Sequence, residues 1–171
     1  MITKSQLQKA KGWLYSYISD KEVMIMSGWK FYIFGQTIED SEQICSLITP
    51  IAKKYNLTMK VASQNIINRN TNKKGIAWSV GIIYLNSELF EDKRVPNLIS
   101  DIDNALKDYQ KTGVIVGAKS INGKLHYRYD LSFPIDPAKG VDYHEYLNGY
   151  RGESGDYNIP GNEDITSSLS I

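Results

Sequence analysis

The chain has few of the side chains that carry covalent and metal chemistry. It contains one cysteine, Cys45, and two histidines, His126 and His144. A single thiol excludes an internal disulfide, and its neighbours Ile44, Leu47 and Ile48 mark it as a packed side chain rather than a nucleophile. Two histidines and a cysteine on separate elements make no metal set, so neither a metal nor another cofactor is expected. No charge of one sign dominates: 20 Lys and Arg face 19 Asp and Glu. No global field therefore draws the chain to nucleic acid or to an anionic membrane, and any phosphate chemistry must be local. No apolar run approaches the length that spans a bilayer, and the opening MITKSQLQKAKGW has no signal-type apolar core. A cytoplasmic protein is expected. A glycine-rich phosphate loop and a nucleophile-elbow serine are also missing, since GYRGESG falls in a tyrosine-rich tail and does not join a strand to a helix.

What is present is enough for one domain. A length of 171 residues buries a real core but is short for two domains. The core is expected over about 13–135, followed by an irregular tyrosine- and glycine-rich tail over 136–171. Ser5 to Lys11 reads as a short polar helix. GWLYSYIS and EVMIMSG read as strands or an aromatic arm on the body. WKFYIFG alternates with period two and is the clearest early strand. Ile44, Leu47, Ile48, Ile51 and Tyr55 then recur three and four apart, the stripe of an amphipathic helix over about 41–55, with Pro50 inside it and Asn56 closing it.

LTMKVAS reads as a further strand and QNIINRNTNKKG as an asparagine-rich basic loop. IAWSVGIIYL is the next strand, its Gly81 marking a bulge or a close approach. Val95, Ile99, Ile102, Leu106 and Tyr109 make a second helical stripe over about 96–110, with Pro96 in its first turn and Gly113 ending it. GVIVGAKS and KLHYRYDLSF are expected as a hairpin around Asn122 and Gly123. The fold class is α+β: a single mixed or largely antiparallel sheet with two helices on one face. The other face is then free to build a site.

Strand parity assigns residues to that second face. The first strand contributes Lys30, Tyr32 and Phe34, the second Thr58, Lys60 and Ala62, and the last His126, Arg128 and Asp130. Lys30, Lys60 and Arg128 would converge, with Arg69, Lys73 and Lys74 on the rim. Cations sharing one concave face call for an anion, typically phosphate or carboxylate. The plain alternative is a set of solvated charges on an exposed sheet face. Asp101 and Asp103 fall on the polar side of the second helix and read as solvated charges.

GWKFYIFG, an amphipathic helix, TMKVAS, the basic asparagine-rich segment, SVGIIYL, a helix with ISDIDNAL and finally HYRYD together resemble the lyase domain of class III and class IV lanthionine synthetases. That domain is similar to the bacterial phosphothreonine lyase effectors. The resemblance covers about Trp13 to Asp130, and GWK and YRY are its most specific pieces. It implies a stand-alone phosphoserine or phosphothreonine lyase-like protein that eliminates phosphate from a phosphorylated peptide or protein. Such chemistry needs a base for the α-proton, an acid for the departing phosphate and cations to hold its charge. Under the resemblance Lys60 is the base, Lys30 and Arg128 bind phosphate, and Arg69 or Lys73 is the loop cation.

The chain departs from the family at Tyr32, which stands where the family has a general-acid histidine. A phenol with an ordinary pKa of about 10 matches neutral pH less well than an imidazole. His126 has the parity to substitute. The kinase and cyclase portions of a synthetase are not in this sequence. Two other readings follow: a non-catalytic phosphate- or phosphopeptide-binding module on the same fold, and a structural or assembly protein, viral for instance.

Overall fold

A computed structural model describes the backbone of residues 1–21, 28–71, 78–86, 88–89, 92–115 and 118–130, with side chains over the same residues except Gly28, Asn70, Thr71, Arg128, Tyr129 and Asp130. The segment EVMIMS, the cations Lys73 and Lys74, and the tail over 136–171 lie outside the described residues. The elements in chain order are α1 (Lys4–Lys9), β1 (Leu14–Tyr17), β2 (Gly28–Phe34), α2 (Ile38–Tyr55), β3 (Met59–Val61), α3 (Gln64–Thr71), β4 (Ser79–Tyr84), α4 (Val95–Ala105), β5 (Lys119–Ser120) and β6 (Leu125–Asp130). The strands form one six-stranded sheet in the order β1-β3-β4-β2-β6-β5, with every neighbouring pair antiparallel. This is the α+β class that the sequence pattern predicts.

The longest helix starts where side chains can satisfy its free N–H groups. The Thr37 hydroxyl accepts the Asp40 N–H at 3.1 Å, and the Asp40 carboxylate accepts the N–H groups of Gln36 and Thr37 at 2.9 and 3.1 Å. This capping box sets the start of α2 three residues earlier than the apolar stripe suggests. The helix runs through Pro50, whose side chain is exposed. The carbonyl that this proline leaves without a partner therefore lies on the helix's wet side. Asn56 closes the helix in the left-handed conformation at φ 54°.

The stripes of α2 and α4 are buried on the Trp29, Phe31 and Ile33 side of β2. Ile44 and Ile48 of α2, Leu98 and Ile102 of α4, and Leu106 just beyond it join Phe31, Ile33, Met59, Val61 and Ile83 in one core. Leu7 of α1 is also fully buried in it, so this helix packs on the core ahead of Trp13. Gly81 serves both roles that its position suggested. The β2/β4 register shifts between Ile33, opposite Gly81, and Phe34, opposite Ser79, which is a bulge at Val80. A Cβ on Gly81 would also lie 2.9 Å from the Ile44 Cγ2 atom, so the glycine lets α2 approach the sheet.

Three expectations are corrected. QNIINRNT is helix α3 rather than loop, because Ser63 caps it through the Ile66 N–H at 3.3 Å and because Ile66 and Ile67 are buried. The second long helix ends at Ala105, and the chain then turns so that the Tyr109 hydroxyl donates to the Phe34 carbonyl at 2.6 Å. Among the described residues of GVIVGAKS, only Lys119–Ser120 form a strand. Residues 111–115 are irregular, with Val114 exposed and Ile115 buried. The expected turn is present: Gly123 has φ +80°, and the Asn122 side chain accepts the N–H groups of Lys124 and Leu125 at 3.0 and 2.8 Å.

Residues 111–115 fit the body closely at one point. A Cβ on Gly113 would lie 2.3 Å from the Phe34 ring, whereas one on Gly12 would meet nothing within 4 Å. Gly113→Ala is expected to destabilise the fold by about 1–3 kcal/mol, the usual range for overpacking. Gly12→Ala is expected to change it by less than about 0.5 kcal/mol. Denaturant melts of the two variants check this contrast.

Candidate functional site

The face of the sheet opposite the helices carries the sequence-predicted residues in two rows. Across one level the residues in register are Tyr15, Lys60, Ile82, Tyr32, His126 and Ser120, one from each strand in sheet order. One step along, Tyr84, Lys30 and Arg128 are in register on β4, β2 and β6. Lys30 and Lys60 therefore flank β4 and are offset by one step, and the ring of Tyr84 receives both. The Lys30 Nζ atom is 5.3 Å and the Lys60 Nζ atom 5.4 Å from its centroid. Lys60 is also 5.0 Å from the centroid of Trp13. Each distance lies within the range where an aromatic quadrupole attracts an ammonium group. Arg128 joins the two lysines at the level of backbone register, directly opposite Lys30.

This face is not the open polar surface that the sequence suggests. Lys30 is 3% exposed and Tyr32 is 5% exposed. Phe34, Ile82, Tyr84 and Ile115 are buried with Tyr32 in a second apolar cluster, against which Trp13, Trp78 and Ala118 pack. Part of the cover is the segment after α4. It is held by the Tyr109 hydroxyl on the Phe34 carbonyl, by the Gly113 N–H on the Gly123 carbonyl at 3.0 Å, and by the contact of Gly113 with the Phe34 ring. The pleat of β2 thus serves two buried layers. An ammonium in such a layer must be compensated, and the Tyr84 face is one source of compensation.

His126 is fully buried beside Tyr32. One ring nitrogen, Nε2, lies 3.0 Å from the Gly113 carbonyl, and only a protonated nitrogen can make that bond, so Nε2 carries the hydrogen. The other nitrogen, Nδ1, is buried and has no hydrogen-bond partner among the described residues. Burial pushes the His126 pKa below its ordinary value, and the carbonyls of Gly113 and Lys124 pull weakly the other way. The ring is therefore neutral at pH 7. Its one proton is already donated to a carbonyl, so His126 is poorly placed to replace a general acid.

The remaining sequence-predicted residues divide clearly. Arg69 is an exposed residue of α3, not of a loop, and Lys73 lies outside the described residues. Cys45 is buried, with its sulfur 3.7 Å from the Thr49 hydroxyl, and burial raises its pKa, which suits a packed thiol. Asp101 and Asp103 are engaged rather than merely solvated. Asp101 accepts from Lys54 and from the Tyr55 hydroxyl, each at 2.7 Å, and Asp103 accepts from Asn122. Sequence reasoning missed Tyr84 and Trp13. Tyr84 was legible only as the last aromatic of SVGIIY, with the parity of Ile82, and its role depends on which strands flank β4.

A shallow groove of about 90 Å³ lies at the C-terminal end of α2, lined by Lys21, Lys54, Tyr55, Asn56 and Arg94 among others. Its cations have partners: Lys54 pairs with Asp101 at 2.7 Å, Lys21 pairs with Glu88, and the Arg94 guanidinium stacks 4.7 Å from the Tyr55 centroid. The Tyr55 pKa is pushed up to about 12, first by burial and then by its bond to Asp101.

No family model and no curated protein matches the chain. Among the described residues no group of His, Cys, Asp and Glu could hold a metal ion, and no helix is long and apolar enough to cross a membrane.

The environment of His126 predicts how stability varies with pH. Its folded-state pKa is depressed below the unfolded value of about 6.5, so the unfolded chain takes up a proton first. The contribution is intact above about pH 6.5 and is lost as pH falls from there toward the folded-state value. His126→Gln is expected to flatten the stability profile below about pH 6.5, whatever its effect on stability at pH 8. Denaturant melts across that range read the slope directly.

Proposed function

We propose that this protein is a stand-alone phosphoserine or phosphothreonine lyase-like protein that eliminates phosphate from a phosphorylated peptide or protein in the cytoplasm. The observation that carries the reading is the meeting of Lys30 and Lys60, from two different strands, over the ring of Tyr84. Arg128 in register with Lys30 and the resemblance of GWK, TMKVAS and YRY to the synthetase lyase domain support it. In the reaction Lys60, as the neutral amine, takes the α-proton of the phosphorylated residue. The electrons of that C–H bond form the Cα=Cβ double bond, and the Cβ–O bond breaks with its pair leaving on phosphate. Lys30 and Arg128 hold the phosphate charge, and the Tyr32 phenol donates a proton to the departing oxygen. Under the resemblance, Arg69 or Lys73 is a further phosphate-binding cation.

A second reading is favoured by one specific feature. The general-acid position is Tyr32, and the neighbouring His126 is neutral with its proton committed to the Gly113 carbonyl. A face with its cations kept and its acid weakened suits a phosphopeptide-binding module without turnover.

Phosphate release from phosphothreonine and phosphoserine peptides, followed with the matching mass loss on the peptide, separates the two. For the lyase, Lys60→Ala is expected to abolish elimination. Tyr32→Phe is expected to lower the rate at least about tenfold with little change in peptide affinity, because a proton donor acts mainly in the transition state. Micromolar peptide binding with no release by the wild-type protein would sink the lyase and leave the binder. In that case Lys30→Ala and Arg128→Ala weaken affinity and no variant has a rate to lose.

A further inference from the structure

Of the two rings described beside Lys60, the nearer comes from outside the sheet. Trp13 is half-buried just before β1, and its centroid is 5.0 Å from the Lys60 Nζ atom, closer than that of Tyr84 at 5.4 Å. Its position is fixed from both sides. Ahead of it, α1 is anchored by the fully buried Leu7, and the Asn65 side chain of α3 donates to the Lys11 carbonyl at 2.6 Å. Behind it, β1 pairs with β3 through Leu14 opposite Val61 and Tyr15 opposite Lys60. Residues 10–13 thus form a strap from α1 to the sheet edge, tied to α3 on the way and ending on Lys60.

We infer that Trp13 is a positioning residue of this face: the strap presses its ring against Lys60, and together with Tyr84 it sets where the Lys60 amine is presented and stabilises it as the ammonium ion. Two aromatic faces around one ammonium favour the charged over the neutral form, because the ring quadrupole attracts only the charge. In the resting protein Lys60 is therefore held in its anion-binding form, and loosening the strap releases it toward the form that can accept a proton. That consequence for function rests on the reading of Lys60 as the base. The bracket itself does not. Among the described residues, the titratable and charged groups sharing this face with Lys60 are Tyr15 of β1, Tyr84 of β4, Lys30 and Tyr32 of β2, and at register positions beyond them His126, Arg128 and Asp130 of β6.

The test is a pH titration of the lysine side chains of the full chain by NMR of labelled Cε, with the Lys60 signal assigned from Lys60→Arg. Removing an aromatic bracket and merely uncovering an amine have opposite signs. Trp13→Leu is expected to lower the Lys60 midpoint by about 0.5 pH while the other lysines stay in place, and Trp13→Phe to restore most of it. Asn65→Ala, which loosens the strap without touching Lys60, is expected to move the midpoint the same way by a smaller amount. It also serves as the test if Trp13→Leu does not fold. A midpoint that stays fixed, or rises as simple exposure to water would make it, in either variant overturns the inference. Binding of a phosphothreonine peptide by the wild-type chain is measured alongside. Its absence removes the functional reading of the face while the Lys60 titration still decides the role of Trp13.

Discussion

The structure depends on β2 being paired along both edges. Gly28–Phe34 is hydrogen-bonded to β4 on one side and to β6 on the other, and the remaining strands extend outward from these two. A strand fixed on both edges cannot slip in register without sending every side chain to the wrong face. Trp29, Phe31 and Ile33 are thereby locked toward the helices, and Lys30, Tyr32 and Phe34 toward the other layer. The cost is that a lysine lies in a nearly closed layer, and aromatic rings help to offset it.

Tyr109 joins the two layers at their rim. Tyr109 is fully buried on the helix side, yet its hydroxyl reaches the Phe34 carbonyl at the end of β2, and burial keeps its pKa well above the ordinary phenol range. From that point residues 111–115 cross to the opposite side, where Ile115 joins the second cluster and the Gly113 carbonyl accepts a hydrogen bond from His126. The cover of the candidate site is therefore tied to the end of β2 and to the turn at Gly123. A change in the core near Tyr109 can reach the site through this segment without any contact with substrate.

Chemically, the described part of the face sets aromatic rings against its cations: Tyr84 lies near both Lys30 and Lys60, and Trp13 adds a second ring to Lys60. A ring stabilises an ammonium group without neutralising it. That property links the burial of Lys30 and the rings beside Lys60 to the proposed handling of a phosphorylated side chain. It also explains why no excess of positive charge over the whole chain is needed.

The sequence alone determined whatever depends on neighbours along the chain. The period-two run WKFYIFG and the stripe Ile44, Ile48, Ile51 each fold by local rules, so the strand, the long helix, its Asn56 cap and the turn at Gly123 were legible, as was the division of β2 between two faces. It erred where tertiary packing overrides the local pattern: Ile66 and Ile67 draw an asparagine-rich segment into α3, and residues 113–115 become part of a cover instead of a strand. Parity alone assigned Lys30 and Lys60 to one side. Only the strand order, with β4 between β2 and β3, brought them to the same ring and set Trp13 against one of them. Pairing between strands distant in sequence is decided by the packing of the whole sheet, and no local pattern encodes which strand becomes whose neighbour.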